Sequence, residues 1–334
     1  MSGASTSANR VRWGILSTAN IGLKAMAPAI RASSNGQLIA IASRDRARAE
    51  QITAAEPGMR AYGTYAELLA DPEVEAVYIP LPNSMHMEWT LRAAEQGKHV
   101  LCEKPLGVTS EEVRRMSAAC KQAGVLLMEA FMYRFHPQIR WTLDHLATGA
   151  IGDVRLVRSG FAFDIRPRPE NIRLQASLAG GSLMDIGCYP LNLCRAVFGG
   201  APSSVAARAI VPEDSEVERT MAAILDFGNG RLGLIDSSFE QPWQQFAEIV
   251  GEGGRIVLPR PFTPQGAETV ARIERDDEMQ ERRFAAVDHY QLEVEHFGEC
   301  IRTGAAPFLS PLDALEQAEA VEAIYAAAGY SWPR

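Results

Sequence analysis

The first third of the chain places its apolar residues in short unbroken runs with helical stretches between them. Val11–Leu16, Leu38–Ala42, Ala76–Ile79, His99–Cys102 and Val125–Met128 are such runs, the pattern of strands buried on both faces. Asn20–Ala32 and the segments that end at Gly97 and Gly124 carry helical spacing. Both glycines stand where a helix closes in the left-handed conformation. Thr109-Ser-Glu-Glu112 is a capping box that opens the helix before Gly124. The alternation predicts right-handed βαβ crossovers and a mostly parallel, doubly wound sheet.

Past residue 130 the period changes to two. Val154–Phe163, Val205–Ile210, Thr220–Phe227, Arg231–Ser237, Phe246–Val250 and Arg255–Leu258 alternate apolar and polar, with turns such as Gly228-Asn-Gly230 between them. Helices are predicted at Gln138–Thr148, Ser182–Phe198, Tyr290–Arg302 and Pro311–Ala328. The expected organisation is an α/β domain over 10–130, then an α/β domain over 131–334 with an open, mostly antiparallel sheet covered by helices on one face.

Composition narrows the partners. The 334 residues are 47% hydrophobic with a net charge of −8, enough for a sizeable core and adverse to nucleic acid or an anionic membrane as main partner. No apolar run reaches the roughly 18 residues of a membrane span, and Met1–Asn9 lacks an apolar signal segment. Cys102, Cys120, Cys188, Cys194 and Cys300 are odd in number and form no C-x-x-C pair. A reduced, cytoplasmic protein without a structural metal is expected. His289, Glu293 and His296 share a helical face but read as an amphipathic helix edge, since no further ligand cluster accompanies them.

Two segments carry candidate chemistry in the first domain. After Val11–Leu16 the chain turns through Ser17, Thr18, Ala19, Asn20 and Ile21 into a helix, the place where a dinucleotide's pyrophosphate meets N-terminal amides. Only Gly22 of the glycine fingerprint is present; Ser17 and Ala19 are small replacements, and a plain strand–helix turn is the competing reading. Twenty-one residues beyond Gly22, where an acidic residue would select NAD, stand Ser43 and Arg44, with Arg46 and Arg48 close behind. Serine and arginine suit a ribose 2′-phosphate, so NADP is expected over NAD; a solvated basic helix start is the alternative. At the end of a later strand, Leu101-Cys-Glu-Lys-Pro-Leu-Gly107 delivers Glu103 and Lys104 to the sheet edge where ligands bind, a surface ion pair between the two being the competing reading.

The second domain contributes Gly180-Gly-Ser-Leu-Met-Asp-Ile-Gly-Cys-Tyr-Pro-Leu-Asn192. Asp185, Tyr189 and Asn192 read as one polar stripe on a helix that is otherwise apolar. Gly187 and Pro190 both oppose a helix interior, and a segment that breaks local rules this way is more often a functional site than a core helix; a structural polar stripe is the competing reading.

With these pieces in place the chain resembles the glucose-fructose oxidoreductase / inositol dehydrogenase / MocA family, and within it the dihydrodiol and xylose dehydrogenase branch. The resemblance spans nearly the whole length. It rests on Gly14–Gly22, Ser43-Arg44, Pro80-Leu-Pro-Asn83 with His86, Glu103-Lys-Pro105, Met128–Pro137 and Gly180–Asn192. It implies a Rossmann domain followed by an α/β domain whose open sheet forms a homodimer or homotetramer surface. It implies that Lys104 and Tyr189 contact the reacting oxygen, with Asp185 in the same pocket. Leu81, Asn83, His86 and Glu103 are assigned to the cofactor, and Arg134, with Asp185, Tyr189 and Asn192, to the substrate. Asn83 and His86, placed near the nicotinamide half, also read as an N-cap and a surface histidine, and Arg134 as part of a domain-joining turn. Tyrosine at 189, where inositol dehydrogenases have histidine, favours sugars and dihydrodiols over cyclitols.

Elementary chemistry agrees. A free tyrosine, with a pKa near 10, is a poor base at neutral pH, and a nearby ammonium stabilises both phenolate and a developing alkoxide. The expected function is hydride transfer between a nicotinamide and a hydroxyl or carbonyl carbon, Tyr189 acting as acid/base with Lys104 as partner. Rival readings are internal redox cycling on a tightly held nicotinamide and a non-catalytic NADP-binding regulator. The loop Asp164–Arg173 is read as an active-site cover or a solvated connection.

Overall fold

The computed structural model describes residues 9–330 apart from Ala55, Pro167, Pro169 and Gln265. The polar start of the chain, read above for a signal segment, lies outside the described residues up to position 8. The contacts divide the chain into two compact units.

The first unit comprises the described residues up to Gly107 together with Glu111–Met132 and Asp288–Ala314. Its strands are β1 (Val11–Leu16), β2 (Gly36–Ala42), β3 (Arg60–Tyr62), β4 (Ala76–Ile79), β5 (His99–Glu103) and β6 (Leu127–Ala130). Among the described residues they form one parallel sheet in the order β3-β2-β1-β4-β5-β6. This is a doubly wound arrangement, with the order reversing at β1 and β4. Between the strands run α1 (Ala27–Ala32), α2 (Arg46–Thr53), α3 (Tyr65–Leu69), α4 (His86–Glu95) and α5 (Ser110–Ala123). The last strand lies two residues beyond the predicted Val125–Met128. Val125 still closes the turn after α5, its N–H donating to the Cys120 carbonyl at 3.0 Å, and the Leu126 N–H donates to His99 Nδ1 at 3.0 Å.

One boundary differs from the expected 131–334. Helix α8 (His289–Thr303) belongs with the first unit. Arg302 donates to the carbonyls of Asn9 and Arg10 and pairs with Glu75 at 2.8 Å. Asn35 Nδ2 donates to the Glu295 carbonyl at 2.8 Å, and a Cβ on Gly298 would stand 2.8 Å from the Asn35 amide. Phe297, fully buried, packs on Trp13 at 5.9 Å between ring centres. Burial of these apolar groups outweighs sequence adjacency, and the chain returns to cover the sheet it started from.

The second unit contains α6 (Pro137–Ala147), β7 (Val154–Ala162), α7 (Cys188–Phe198), β8 (Ser204–Ile210), β9 (Thr220–Asp226), β10 (Leu232–Ser238), β11 (Gln244–Gly251), β12 (Gly254–Leu258), β13 (Thr269–Arg275) and β14 (Glu278–Phe284). The sheet runs β14-β13-β12-β11-β7-β10-β9-β8, antiparallel throughout except for β7 beside β10. Helix α7 packs on β7 and β10 and covers one face. The other face leaves Ile210, Ile224 and Phe246 exposed. The protein is thus an α/β molecule with a Rossmann-like parallel sheet and a large, mostly antiparallel second sheet. No helix among the described residues is long and apolar enough to cross a membrane.

Candidate functional site

In the first unit the turn after β1 is drawn tight by Ser17, whose Oγ accepts the Ala19 N–H at 2.9 Å. The helix that follows opens with a π turn, Gly22–Met26, before α1. A Cβ on Gly22 would stand 3.2 Å from both Ile15 Cγ2 and Pro80 Cγ, so glycine lets this helix lie close on the sheet. That is the third-glycine role of a dinucleotide fold. Ser17, Ala19 and Ile21 are half-buried, Asn20 is exposed and Thr18 is buried.

At the end of β2, Ser43 is buried and its Oγ accepts the Asp45 N–H at 3.1 Å. Asp45 caps α2 by accepting the Arg48 N–H at 3.3 Å, so its carboxylate is engaged by the helix start. Arg48 Nη2 donates to the Thr18 carbonyl at 3.3 Å and ties α2 to the phosphate turn, while Arg46 pairs with Glu50. Arg44 is exposed, and no ion pair among the described residues engages it.

Lys104 follows the last residue of β5 and precedes a cis bond to Pro105. Its surroundings are held from three sides. The Tyr78 hydroxyl donates to Glu103 Oε1, and the Lys104 N–H lies 3.3 Å from Glu103 Oε2. The Leu106 N–H donates to buried Glu129 at 2.8 Å. His86 is fully buried, with Nδ1 2.8 Å from the Pro105 carbonyl and Nε2 2.8 Å from the Leu81 carbonyl. Burial pushes its pKa down, opposed by those two carbonyls. His86, expected near the nicotinamide, is therefore turned inward, where it joins the loop after β4 to the Lys104 turn. Asn83, half-exposed, opens the short turn Asn83–Met85.

Beneath Glu103 lies a buried acid that the sequence pattern hides. Glu293 of α8, read above as a helix edge, is 0% exposed. Burial first, and then Glu103, push its pKa well up; Tyr78 and Tyr290 are raised for the same reasons. Its helical spacing with two histidines made it look like a surface stripe.

In the second unit the segment Leu183–Gly187 is a π turn leading into α7. In that register the Asp185 carbonyl would face the nitrogen of Pro190, which has no hydrogen; the Cys188 thiol donates to that carbonyl at 3.5 Å. A Cβ on Gly187 would stand 2.7 Å from Ser237 Oγ. Pro190 thus suits the wide turn, which also splits the expected stripe, while Gly187 lets that turn lie close on β10. Asp185 points to Arg173, whose Nε donates to Oδ2 at 2.5 Å. Tyr189 is 5% exposed, its ring against Tyr133, Phe161 and Phe262 at 5.5–5.8 Å between centres.

Asn192 is 0% exposed and engaged inside the unit. Its Oδ1 accepts the Tyr133 hydroxyl at 2.6 Å and Arg134 Nη1 at 3.1 Å, and its amide faces Gln317. Arg134 is itself buried. Asn192 and Arg134, expected to touch substrate, bond each other inside the second unit, because an asparagine in that apolar layer must satisfy its own polar atoms. His136 caps α6, its pKa pushed down to about 4 by burial. Arg173 is the residue the sequence reading passed over as loop.

Comparison with known proteins finds matches to both halves of the chain. Residues 11–131 match the model described as oxidoreductase family, NAD-binding Rossmann fold, and residues 140–257 match the GFO/IDH/MocA C-terminal domain. A D-xylose 1-dehydrogenase (NADP(+)) of Haloferax volcanii is 39% identical, covering 95% of this chain and 97% of that one. A trans-1,2-dihydrobenzene-1,2-diol dehydrogenase of Xenopus laevis is 32% identical over 94% and 95%. A 3-ketoreductase of Actinomadura kijaniata, solved with NADP and TDP-benzene, superposes with a TM-score of 0.90 at 34% identity, covering 96% and 98%. That enzyme has also been solved with one tyrosine changed to phenylalanine and with one lysine changed to alanine.

Proposed function

Because the chain belongs to the GFO/IDH/MocA oxidoreductase family, we propose that it is an NADP-dependent dehydrogenase/reductase acting on a hydroxyl or carbonyl carbon of a sugar or dihydrodiol. The observation that carries this reading is Lys104 at the ligand-binding edge of the parallel sheet, braced by Glu103, Glu129 and His86. NADP, when bound, supplies or accepts the hydride. The residues present fit it: a glycine-permitted close approach at Gly22, amides at the turn Ser17–Ile21, and Arg44 exposed beside Ser43.

Tyr189 holds and returns the proton of the reacting oxygen. Lys104 stabilises the negative charge that develops there. Asp185, paired with Arg173, orients the substrate hydroxyls, and Arg173 sets its direction. A panel of aldoses, keto-sugars and trans-dihydrodiols with NADP, followed by NADPH absorbance, tests the reading. Turnover of at least one member is expected, and no turnover across the panel defeats it.

Cofactor choice has its own test. Arg44→Ala should lower kcat/KM with NADP by about tenfold to a hundredfold, the loss of one charge-assisted phosphate bond, and leave the value with NAD in place. A wild type that uses NAD as well as NADP overturns the assignment. The apolar outer face of the second sheet supports self-association. With Ile224 49% and Phe246 38% exposed on it, a homodimer is expected, and Ile224→Glu should shift the mass in light scattering to the monomer. An unchanged mass excludes this face.

A further inference from the structure

The start of the helix that bears Asp185 and Tyr189 hangs on one buried carboxyl. Glu218, just before β9, is 0% exposed. Its Oε1 accepts the Leu183 N–H at 2.7 Å and the Tyr325 hydroxyl at 3.2 Å, and its own carbonyl accepts the Ser182 N–H at 3.1 Å. Gly181 presses on the other oxygen. Its φ is +118°, and a Cβ there would stand 2.1 Å from Glu218 Oε2. Among the described residues Oε2 itself is buried with no hydrogen-bond partner. An ionised carboxylate would leave that oxygen charged, dry and without a donor, whereas a carboxylic acid keeps the group neutral.

We propose that Glu218 is a positioning residue for the reaction: protonated, it locks the segment Gly181–Leu183 and so the helix carrying Asp185 and Tyr189, and loss of the proton weakens the lock. The link to turnover rests on the role given above to Tyr189; the lock itself does not.

Burial drives the Glu218 pKa up to about 8, opposed first by the Leu183 N–H and then by the Tyr325 hydroxyl. The other titratable groups facing it are Tyr325 and Tyr330, both themselves raised by burial and by Glu218. Once the segment opens, the solvated carboxyl reverts toward its ordinary value of 4.5, so the closed form binds the extra proton between 4.5 and about 8. The lock is therefore tightest in acid, loosens as pH rises through that window and is level above it.

Amide exchange of Leu183–Tyr189 in the full-length protein, corrected for intrinsic rates, reads this directly and needs no substrate. Protection should fall by about tenfold per pH unit from roughly pH 5 to pH 8 and then level off. Glu218→Gln, which cannot ionise, should flatten the slope. Tyr325→Phe removes a donor that favours the charged form, so its levelling point should move to higher pH; this variant decides the matter if Glu218→Gln does not fold. Wild-type protection without pH dependence, an unaltered slope in Glu218→Gln, or an unmoved levelling point in Tyr325→Phe overturns the proposal. In a protein that turns over, Glu218→Gln should also remove the same pH dependence from kcat while KM for NADP stays in place. Failure to find any substrate defeats the functional reading and leaves the exchange result standing.

Discussion

Replacing Tyr189 with phenylalanine is expected to lower kcat by about 10²–10⁴-fold, the usual contribution of positioned proton transfer, in a protein that still folds and still binds NADP. The change deletes one oxygen. Ring packing against Tyr133, Phe161 and Phe262 is kept, so the aromatic cluster around position 189 holds its shape. NADP affinity, measured by titration of cofactor fluorescence, should be unaltered because the proposed cofactor residues lie in the first unit. The loss must therefore appear in kcat and not in cofactor binding. An unchanged kcat removes Tyr189 from the chemistry.

Lys104→Met should cost about 10²–10³-fold in kcat, the scale of losing one donor to a developing oxyanion. Methionine keeps the apolar stem, and the bonds from Tyr78 to Glu103, from His86 to the Pro105 carbonyl and from the Leu106 N–H to Glu129 do not use the lysine ammonium. The combined variant is the sharper measurement. If both groups serve the same oxygen, Tyr189→Phe with Lys104→Met loses less than the product of the single losses, because the second deletion acts on a transition state already deprived of its stabilisation. Strict additivity separates the two residues into independent roles.

Much of the framework was legible. Buried parallel strands announce themselves as continuous apolar runs, and β1, β2, β4 and β5 lie within two residues of where those runs place them. The strands β13 and β14 were not legible. β14 reads Glu278–Phe284 with nearly every side chain exposed, so it carries no alternation for a pattern to find. The short β3 was missed for a related reason: all three residues are half-buried.

The candidate site divides in the same way. Lys104, Tyr189 and Asp185, the phosphate turn and Ser43-Arg44 were singled out by chemistry that local structure alone makes awkward. Their supports were not. His86 and Asn192 look in sequence like groups offered to a ligand, and Glu293 and Glu218 like surface acids. All four are 0% exposed.

What the sequence by itself determined is where the chain can form strands and helices and which residues bring reactive groups, since both depend on neighbours within a few positions. Only the tertiary structure decided which polar groups are given to solvent and which are sealed inside. Gly181 and Glu218 are 37 positions apart in number, yet a missing side chain on one makes room for the carboxyl of the other. Arg173 reaches Asp185 across a loop, and α8 returns from the far end of the chain to bury Glu293. Burial sets the cost of a charge and the direction of a carboxyl's pKa, and it is a property of three-dimensional packing that no short window of sequence contains.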